Sequence, residues 1–485
     1  MSLTVPEAMP VETAAAEPPL VVDLDGTLIR SDTLIESFFA SLGIWPLGAL
    51  RAMLALREGK AALKARLADI ALPDPASLPL NKEIVDFIET ERSRGRRVYL
   101  ASAADRRIAE SVATELGVFD GVFATHGDVN LKGETKAAVL VEAFGAKGFD
   151  YIGNGSVDFP VWEQARSVLV ADAPVAVERE AMARWPNARV IVERTISPPA
   201  YLKAMRLHQW AKNLLLFVPA MTGHRWGLGD IAACLLAFVS FGLTASSVYV
   251  TNDLVDLARD REHTTKRHRP FAAGDIPPIH GVFMIPALLI AGLLTAALVG
   301  PFFLLVLLAY CVTTLAYSLL LKRKMLLDVV TLAGLYGIRL YAGAIAVGIS
   351  LSAWLGTFAL FVFTCLALVK RCAELVERST AGRGNPSGRD YQIADLPVLF
   401  AMAAASGFTA VLVVALYADS AAVRALYTSP NRLYLICVVL LYWVGRVLML
   451  THRNRMHDDP VLFAATDRVS QACALVCLGI VLVSV

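Results

Sequence analysis

The 485-residue chain is 56% hydrophobic and 18% charged, and 45 Lys plus Arg against 43 Asp plus Glu leave a formal charge of +2. So near a balance speaks against a dedicated nucleic-acid binder, and a mean hydropathy of +0.56 excludes both a wholly water-soluble and a disordered chain. All seven cysteines lie in the second half, mostly inside apolar runs, and read as small core residues rather than a disulfide or zinc framework.

Residues 1–18, rich in Pro, Glu and Ala, read as a flexible leader with nothing to bury. They carry no Lys or Arg ahead of an apolar run, so no cleavable signal is expected and the N-terminus is expected to stay cytoplasmic. From 19 to 195 the β-branched runs VVDL, RRVYLASA, VFATHG, FDYIGN, SVLVA and ARVIVE alternate with amphipathic stretches. That is the pattern of a doubly wound α/β domain with a parallel sheet. An insertion at about 31–90, including SFFASLGIWPLGALRAMLAL, predicts a helical cap. Its Phe38, Phe39, Leu42, Ile44, Trp45, Leu47, Leu50, Met53 and Leu54 exceed what one helical face needs, which points to contact with the bilayer or the membrane domain as well as cap packing.

Residues 196–485 form an all-α polytopic membrane domain. Nine spans are expected, near 212–222, 230–250, 279–299, 302–321, 328–348, 353–370, 397–417, 432–450 and 469–485. Connections after the second, fourth, sixth and eighth hold most of the Lys and Arg, whereas the opposite side has Arg225, Arg424 and Arg432. The basic connections are therefore expected in the cytoplasm, and an odd number of spans puts the N-terminal domain there too.

Two clusters carry chemistry. The strand VVDL runs into Asp23-Leu24-Asp25-Gly26-Thr27, and paired carboxylates at a strand end can divide nucleophilic attack from proton transfer. After the second span, Asn252, Asp256 and Asp260 are spaced by four, with Asp253 three before Asp256, so a helix would put them on one face. Arg261, Lys266, Arg267 and Arg269 follow; acids for a metal beside cations for phosphate suit a metal-bound diphosphate. A third polar stretch brings Asp458, Asp459 and Asp467, read as site lining or as a solvated connection.

Residues 19–195 resemble the haloacid-dehalogenase-like phosphatases through Asp23, Asp25 and Thr27, Ser102 in VYLASA, Lys136 (with Lys132 as rival) and GNGSVD. The resemblance implies Asp23 as nucleophile, Asp25 as general acid and base, Ser102 and Lys136 on the phosphoryl oxygens, and Mg2+ held with the help of Asp158. Asn154 stands where the family places an acid and would contribute an oxygen without charge.

Residues 200–485 resemble the UbiA superfamily of membrane prenyltransferases through NDxxDxxxD and the helix layout. Within it they are most similar to the decaprenyl-phosphate phosphoribosyltransferases, through HQWAKN, KRHRPFAAG, YSLLLKRKMLLD, Arg339 and VKRCAE. The superfamily's aromatic prenyltransferases carry a second pair of acids four apart; here Asp328 is followed by Leu332, which halves that site. The closer likeness implies phosphoribosyl diphosphate as donor, a polyprenyl phosphate as acceptor, and Asn252, Asp253, Asp256 and Asp260 on Mg2+ and diphosphate. Lys266, Arg269, Lys322 and Arg339 would neutralise phosphates, and Tyr317 and Asp328 would orient ribose or acceptor. Lys212, with Lys370, Arg371 and Glu374, are further substrate-binding candidates.

The expected activity is thus a bifunctional enzyme of a bacterial-type inner membrane, in which the phosphatase removes the 5-phosphate of the lipid product; a homo-oligomer is left open. The alternatives are prenyl transfer to a small acceptor, and a transporter or scaffold with a phosphate-sensing domain.

Overall fold

Strand β1 (Leu20–Val22) has no face toward water. Leu20 and Val22 join one apolar cluster and Val21 the other, as the two-residue alternation of a strand between two helical layers requires. The computed structural model describes residues 17–127, 129–194, 197–386, 389–420, 423, 427–456 and 459–484. Residues 1–16 of the expected leader, and Asp458, lie outside these. Around β1 run β2 (Val98–Asp105), β3 (Gly121–Thr125), β4 (Asp150–Gly153), β5 (Val168–Ala171) and β6 (Arg189–Val192). The order is β3-β2-β1-β4-β5-β6 with every neighbour parallel. All six β-branched runs are strands. The order reverses at β1, so the crevice where such sheets bind ligands opens over the ends of β1, β2 and β4.

The cap contains the helices Thr33–Ile44, Pro46–Ala52 and Lys60–Ile70. Asp32 caps the first, accepting the Ile35 N–H at 3.0 Å. Ala52, Leu63 and Leu67 make a small core with Leu34, Phe38 and Ile70. The helix Lys82–Ser93, which begins inside the range expected for the cap, packs Ile84 and Ile88 into the sheet core. Ile44, Trp45, Leu47, Leu50 and Leu54 are exposed, an apolar patch that the cap core does not use.

Seven helices are long and apolar enough to cross a membrane: Leu228–Val255, Pro278–Val299, Pro301–Leu319, Leu327–Ala346, Ala353–Thr380, Ile393–Ala418 and Pro430–His452. An eighth candidate is the pair Pro460–Thr466 and Arg468–Ser484, bent by 72°. Seven or eight spans thus stand among the described residues where nine were expected, and the difference lies at the first, short one. The expected span at 212–222 is a 3-10 helix, Leu207–Phe217, running into the short helix Val218–Thr222. Its buried Asn213 and its Lys212 bind polar partners inside the protein, which a lipid-facing helix could not offer. Gly343 has no side chain to keep it off this segment: a Cβ there would lie 2.1 Å from the Leu216 carbonyl oxygen. At about 2 Å per 3-10 residue and 1.5 Å per α residue the segment still extends roughly 30 Å.

The chain divides into two compact units, residues 1–204 with 251–283, and residues 205–250 with 284–485. The first therefore includes the acid-rich stretch that follows Leu228–Val255.

Candidate functional sites

Asp23 continues β1 by donating its N–H to the Ile152 carbonyl at 3.0 Å, which fixes its side chain over the sheet crevice. Lys136, buried on the helix Glu134–Phe144, donates to Asp23 Oδ1 at 2.7 Å and to Tyr151 Oη at 2.8 Å. Tyr151 Oη donates to Asp158 Oδ1 at 3.0 Å. Asp158 Oδ2 accepts the N–H groups of Asn154 and Gly155, each at 3.1 Å. The rival Lys132 is exposed, so Lys136 is the lysine that reaches the nucleophile position. Asp158 thus braces the loop, with Oδ1 toward Tyr151 and Oδ2 on the amides of Asn154 and Gly155.

Asp25 is held differently. Its Oδ1 accepts the Thr33 N–H at 2.7 Å and its Oδ2 the Thr33 hydroxyl at 3.2 Å. Burial and the nearby charge of Asp32 push its pKa up to about 7, the range in which a carboxyl can give and take a proton at neutral pH. Burial also raises Asp23, against the pull of Lys136 and with the push of Asp158, to about 6. Lys136 is held above the ordinary lysine value: burial works against its charge, but Asp23 and Asp158 outweigh it.

Ser102 marks the point where the regular β2–β3 register shifts, and its buried Oγ accepts the Ala104 N–H at 2.9 Å. Thr27 is buried with its hydroxyl unpaired. Lys64, from the cap, donates to the Ala103 carbonyl and to Asn130 Oδ1 at 2.8 Å, placing an ammonium beside Ser102 that sequence reasoning passed over. Tyr151 and Thr33 were also missed. Tyr151 was legible as the crevice-facing alternate of the FDYIGN strand, and Thr33 as the first residue of a capped helix.

Three carboxylates face Lys136 in this buried space, an excess of negative charge that a divalent cation would offset. Among the described residues no three acid, His or Cys side chains gather into a metal cage. Mg2+ does not need one, since it is held by one or two carboxylates, waters and substrate phosphate. Asp23 and the Asn154 amide fit that role. A cleft of about 420 Å3 opens beside them, lined by Asp25, Arg30, Asn154, Asp172, Arg194 and Asp275 among others.

Gly26 has φ +74°, and a Cβ there would lie 2.1 Å from Asn154 Nδ2. Gly26→Ala is expected to cost about 1–2 kcal/mol in left-handed strain and to displace Asn154. Phosphomonoester hydrolysis should fall about tenfold or more with a modest drop in melting temperature, measured on the purified variant.

The acid-rich stretch also belongs to the first unit. The four residues were expected on one helix face. The helix instead ends at Val255, Asp256 takes non-helical angles, and a short helix, Leu257–Glu262, carries Asp260. The pairing of Asp256 N–H with Asn252 O (2.9 Å) and of Asp260 N–H with Asp256 O (2.8 Å) keeps the turn. Arg269 Nη1 joins the two buried acids, 3.2 Å from Asp253 and 2.5 Å from Asp260. Burial raises the Asp260 pKa against the pull of Arg269 and then Lys266. Asp256, more exposed, lies 3.5 Å from Arg259. Two buried carboxylates around one cation fit a metal-diphosphate, with Arg269 and Lys266 available to its phosphate oxygens.

The second unit holds the remaining candidates. Arg371, almost fully buried, joins Asp328 at 2.8 Å, Glu374 at 2.6 Å and Tyr317 Oη at 3.2 Å. Tyr391 also donates to Asp328 at 2.5 Å. Tyr317 and Asp328 are thus brought together through Arg371. Leu332 packs into an apolar cluster with Val329, Leu368 and Leu399, so the absent second acid is replaced by core packing, not by another polar group. Arg339 donates to Asn213 Oδ1 at 3.0 Å and to Tyr310 Oη at 2.9 Å. Lys212 pairs with Asp459, giving that acid a partner rather than leaving it in a solvated connection. Lys322 lies half-buried in the short 3-10 helix Leu321–Arg323.

The parallel sheet with its strand-end carboxylates and buried lysine, followed by a bundle of apolar helices, makes an α/β domain joined to a polytopic membrane domain. Residues 20–163 match the haloacid dehalogenase-like hydrolase model, and residues 214–468, more than half the chain, match the UbiA prenyltransferase family model. The chain belongs to the UbiA prenyltransferase family, with a haloacid dehalogenase-like domain fused ahead of the membrane domain.

Among its relatives, the uncharacterized protein y4nM of Sinorhizobium fredii is 38% identical over 93% of this chain and 88% of that protein. Nodulation protein NoeC of Azorhizobium caulinodans is 34% identical over 58% of this chain and 92% of its own. Decaprenyl-phosphate phosphoribosyltransferase of Mycolicibacterium smegmatis is 37% identical over 37% of this chain and 60% of its own.

Proposed function

We propose that the membrane domain transfers 5-phosphoribose from phosphoribosyl diphosphate to a polyprenyl phosphate, and that the N-terminal domain hydrolyses the 5-phosphate of the lipid product. The observation that carries the transferase half is the Arg371 network. Where a prenyltransferase of this superfamily would present a second pair of metal-binding acids, Asp328 is bound to arginine and Leu332 is core. With one acid where the pair would stand, that position offers too little negative charge for a second metal, which leaves Arg371, Tyr317 and Asp328 for phosphate and sugar hydroxyls. Similarity to a decaprenyl-phosphate phosphoribosyltransferase supports the same donor and acceptor.

In the transfer, an acceptor phosphate oxygen attacks the anomeric carbon as diphosphate departs. A phosphate is already a nucleophile at neutral pH, so alignment and charge neutralisation by Lys266, Arg269, Lys322 and Arg339 suffice. Lys212, Tyr317 and Asp328 orient the substrates. Mg2+, held by Asn252, Asp253, Asp256 and Asp260 in this reading, supplies charge neutralisation on the diphosphate. In the phosphatase, Asp23 attacks phosphorus and forms an aspartyl-phosphate while Asp25 gives its proton to the leaving ribose oxygen. Asp25 then takes a proton from the water that attacks the aspartyl-phosphate and releases inorganic phosphate. Ser102, Thr27 and Lys136 hold the phosphoryl oxygens; Mg2+ there would rest on Asp23 and Asn154, with Asp158 bracing the loop.

The test is a donor comparison. Polyprenyl phosphate with labelled phosphoribosyl diphosphate should yield labelled lipid, whereas polyprenyl diphosphate with 4-hydroxybenzoate should yield no prenylated product. The reverse outcome favours prenyl transfer to a small acceptor.

In this reading both active sites face the cytoplasm of a bacterial inner membrane, and the exposed Trp45 and Leu50 patch seats the cap on the bilayer. Trp45→Ser with Leu50→Ser should reduce turnover of the lipid-borne phosphate in vesicles about tenfold, by lowering the local substrate concentration. Hydrolysis of p-nitrophenyl phosphate should stay unchanged; equal loss on both substrates would contradict the bilayer role.

A further inference from the structure

Arg261 follows the acid-rich stretch with Lys266, Arg267 and Arg269, yet its guanidinium is turned to the cap helix of the first unit. Its guanidinium meets Glu36 with two hydrogen bonds, Nη2 to Oε1 at 2.6 Å and Nη1 to Oε2 at 3.1 Å, and both side chains are buried. Its Nε donates to the Ala272 carbonyl at 3.3 Å. A two-pronged bond of this kind fixes direction as well as distance. Apolar residues would stabilise a buried position at least as well, so the pair is better explained by what it orients.

What it orients is visible on the Glu36 side. Glu36 lies in the first turn of the cap helix Thr33–Ile44 and accepts a hydrogen bond from the Ser31 hydroxyl. The Ser31 carbonyl in turn accepts the Gly26 N–H at 2.9 Å. Thr33, at the start of that helix, holds both oxygens of Asp25. Glu36 therefore anchors the loop that follows Asp25 and the helix start that aims it. On the other side, Arg261 adjoins Asp260, which shares Arg269 with Asp253. Gly274, farther along the same segment, packs so closely that a Cβ would sit 3.2 Å from the Arg30 Cβ.

Taking Asp25 as the acid and base of the phosphatase, we infer that Arg261 is a positioning residue for phosphomonoester hydrolysis, acting through Glu36 on the loop and helix start that hold Asp25. It touches neither the phosphate nor the nucleophile. The segment that carries the transferase acids thereby also sets the geometry of the phosphatase.

The test uses the full-length protein in detergent with p-nitrophenyl phosphate and Mg2+, comparing Arg261→Met, Glu36→Met and the double variant. Arg261→Met should lower kcat about tenfold to a hundredfold with KM nearly unchanged. The double variant leaves no buried charge unpaired, so it should recover the melting temperature lost by the single variants but not their kcat. Recovery of both, or an undiminished kcat in Arg261→Met, would overturn the inference while leaving the phosphatase reading intact. A wild-type chain that releases no nitrophenol would overturn the phosphatase reading and this inference with it.

Discussion

Replacing Asp23 with Asn is expected to stop phosphate release by about ten-thousandfold while sugar transfer continues, so that phosphoribosyl lipid accumulates. The substitution preserves shape but removes the nucleophile. Lys136 would keep Tyr151 at 2.8 Å and Asp158 at 3.9 Å, so the pocket should hold its form. Inorganic phosphate release and the mass of the lipid product both report the result. Undiminished phosphate release would mean that Asp23 does not attack phosphorus.

Asp253→Asn is expected to have the opposite selectivity, lowering sugar transfer about a hundredfold to a thousandfold with p-nitrophenyl phosphate hydrolysis retained. Asp253 is buried and shares Arg269 with Asp260. The variant removes one of the three acids that answer a metal-diphosphate, yet Arg269 keeps Asp260 as a partner, which limits the cost to folding. Initial rates with labelled donor measure the effect. Transfer at the wild-type rate would remove the acid stretch from the donor site.

The sheet was legible because buried parallel strands must be continuous and β-branched, and each of VVDL, RRVYLASA, VFATHG, FDYIGN, SVLVA and ARVIVE meets that demand. The strand-end position of Asp23 followed directly. Less legible were features set by tertiary packing. The span expected at 212–222 is instead the end of the 3-10 helix Leu207–Phe217 and the short helix after it, where Lys212 and Asn213 find internal partners and Gly343 admits the backbone.

Spacing alone suggested one helix through Asp260, whereas the chain breaks at Asp256 and resumes in Leu257–Glu262. Arg371 ranked below Tyr317 and Asp328 in the sequence, yet it is the side chain that joins them, a role visible only when separate helices pack together. Lys64 belongs to the same class, whereas Tyr151 and Thr33 had a local signal in their strand and their capped helix. Each is an ordinary residue type whose importance comes from its partner: Tyr151 meets Lys136, Thr33 meets Asp25, and Lys64 meets the Ala103 carbonyl.

The most direct test of the account is the mass of the lipid formed when the purified wild-type protein is given polyprenyl phosphate, Mg2+ and phosphoribosyl diphosphate labelled in the ribose. A lipid heavier by one labelled ribose without its 5-phosphate is the expected product. Polyprenyl phosphate recovered unchanged, with no labelled ribose attached, would contradict both the donor and the coupling of the two domains.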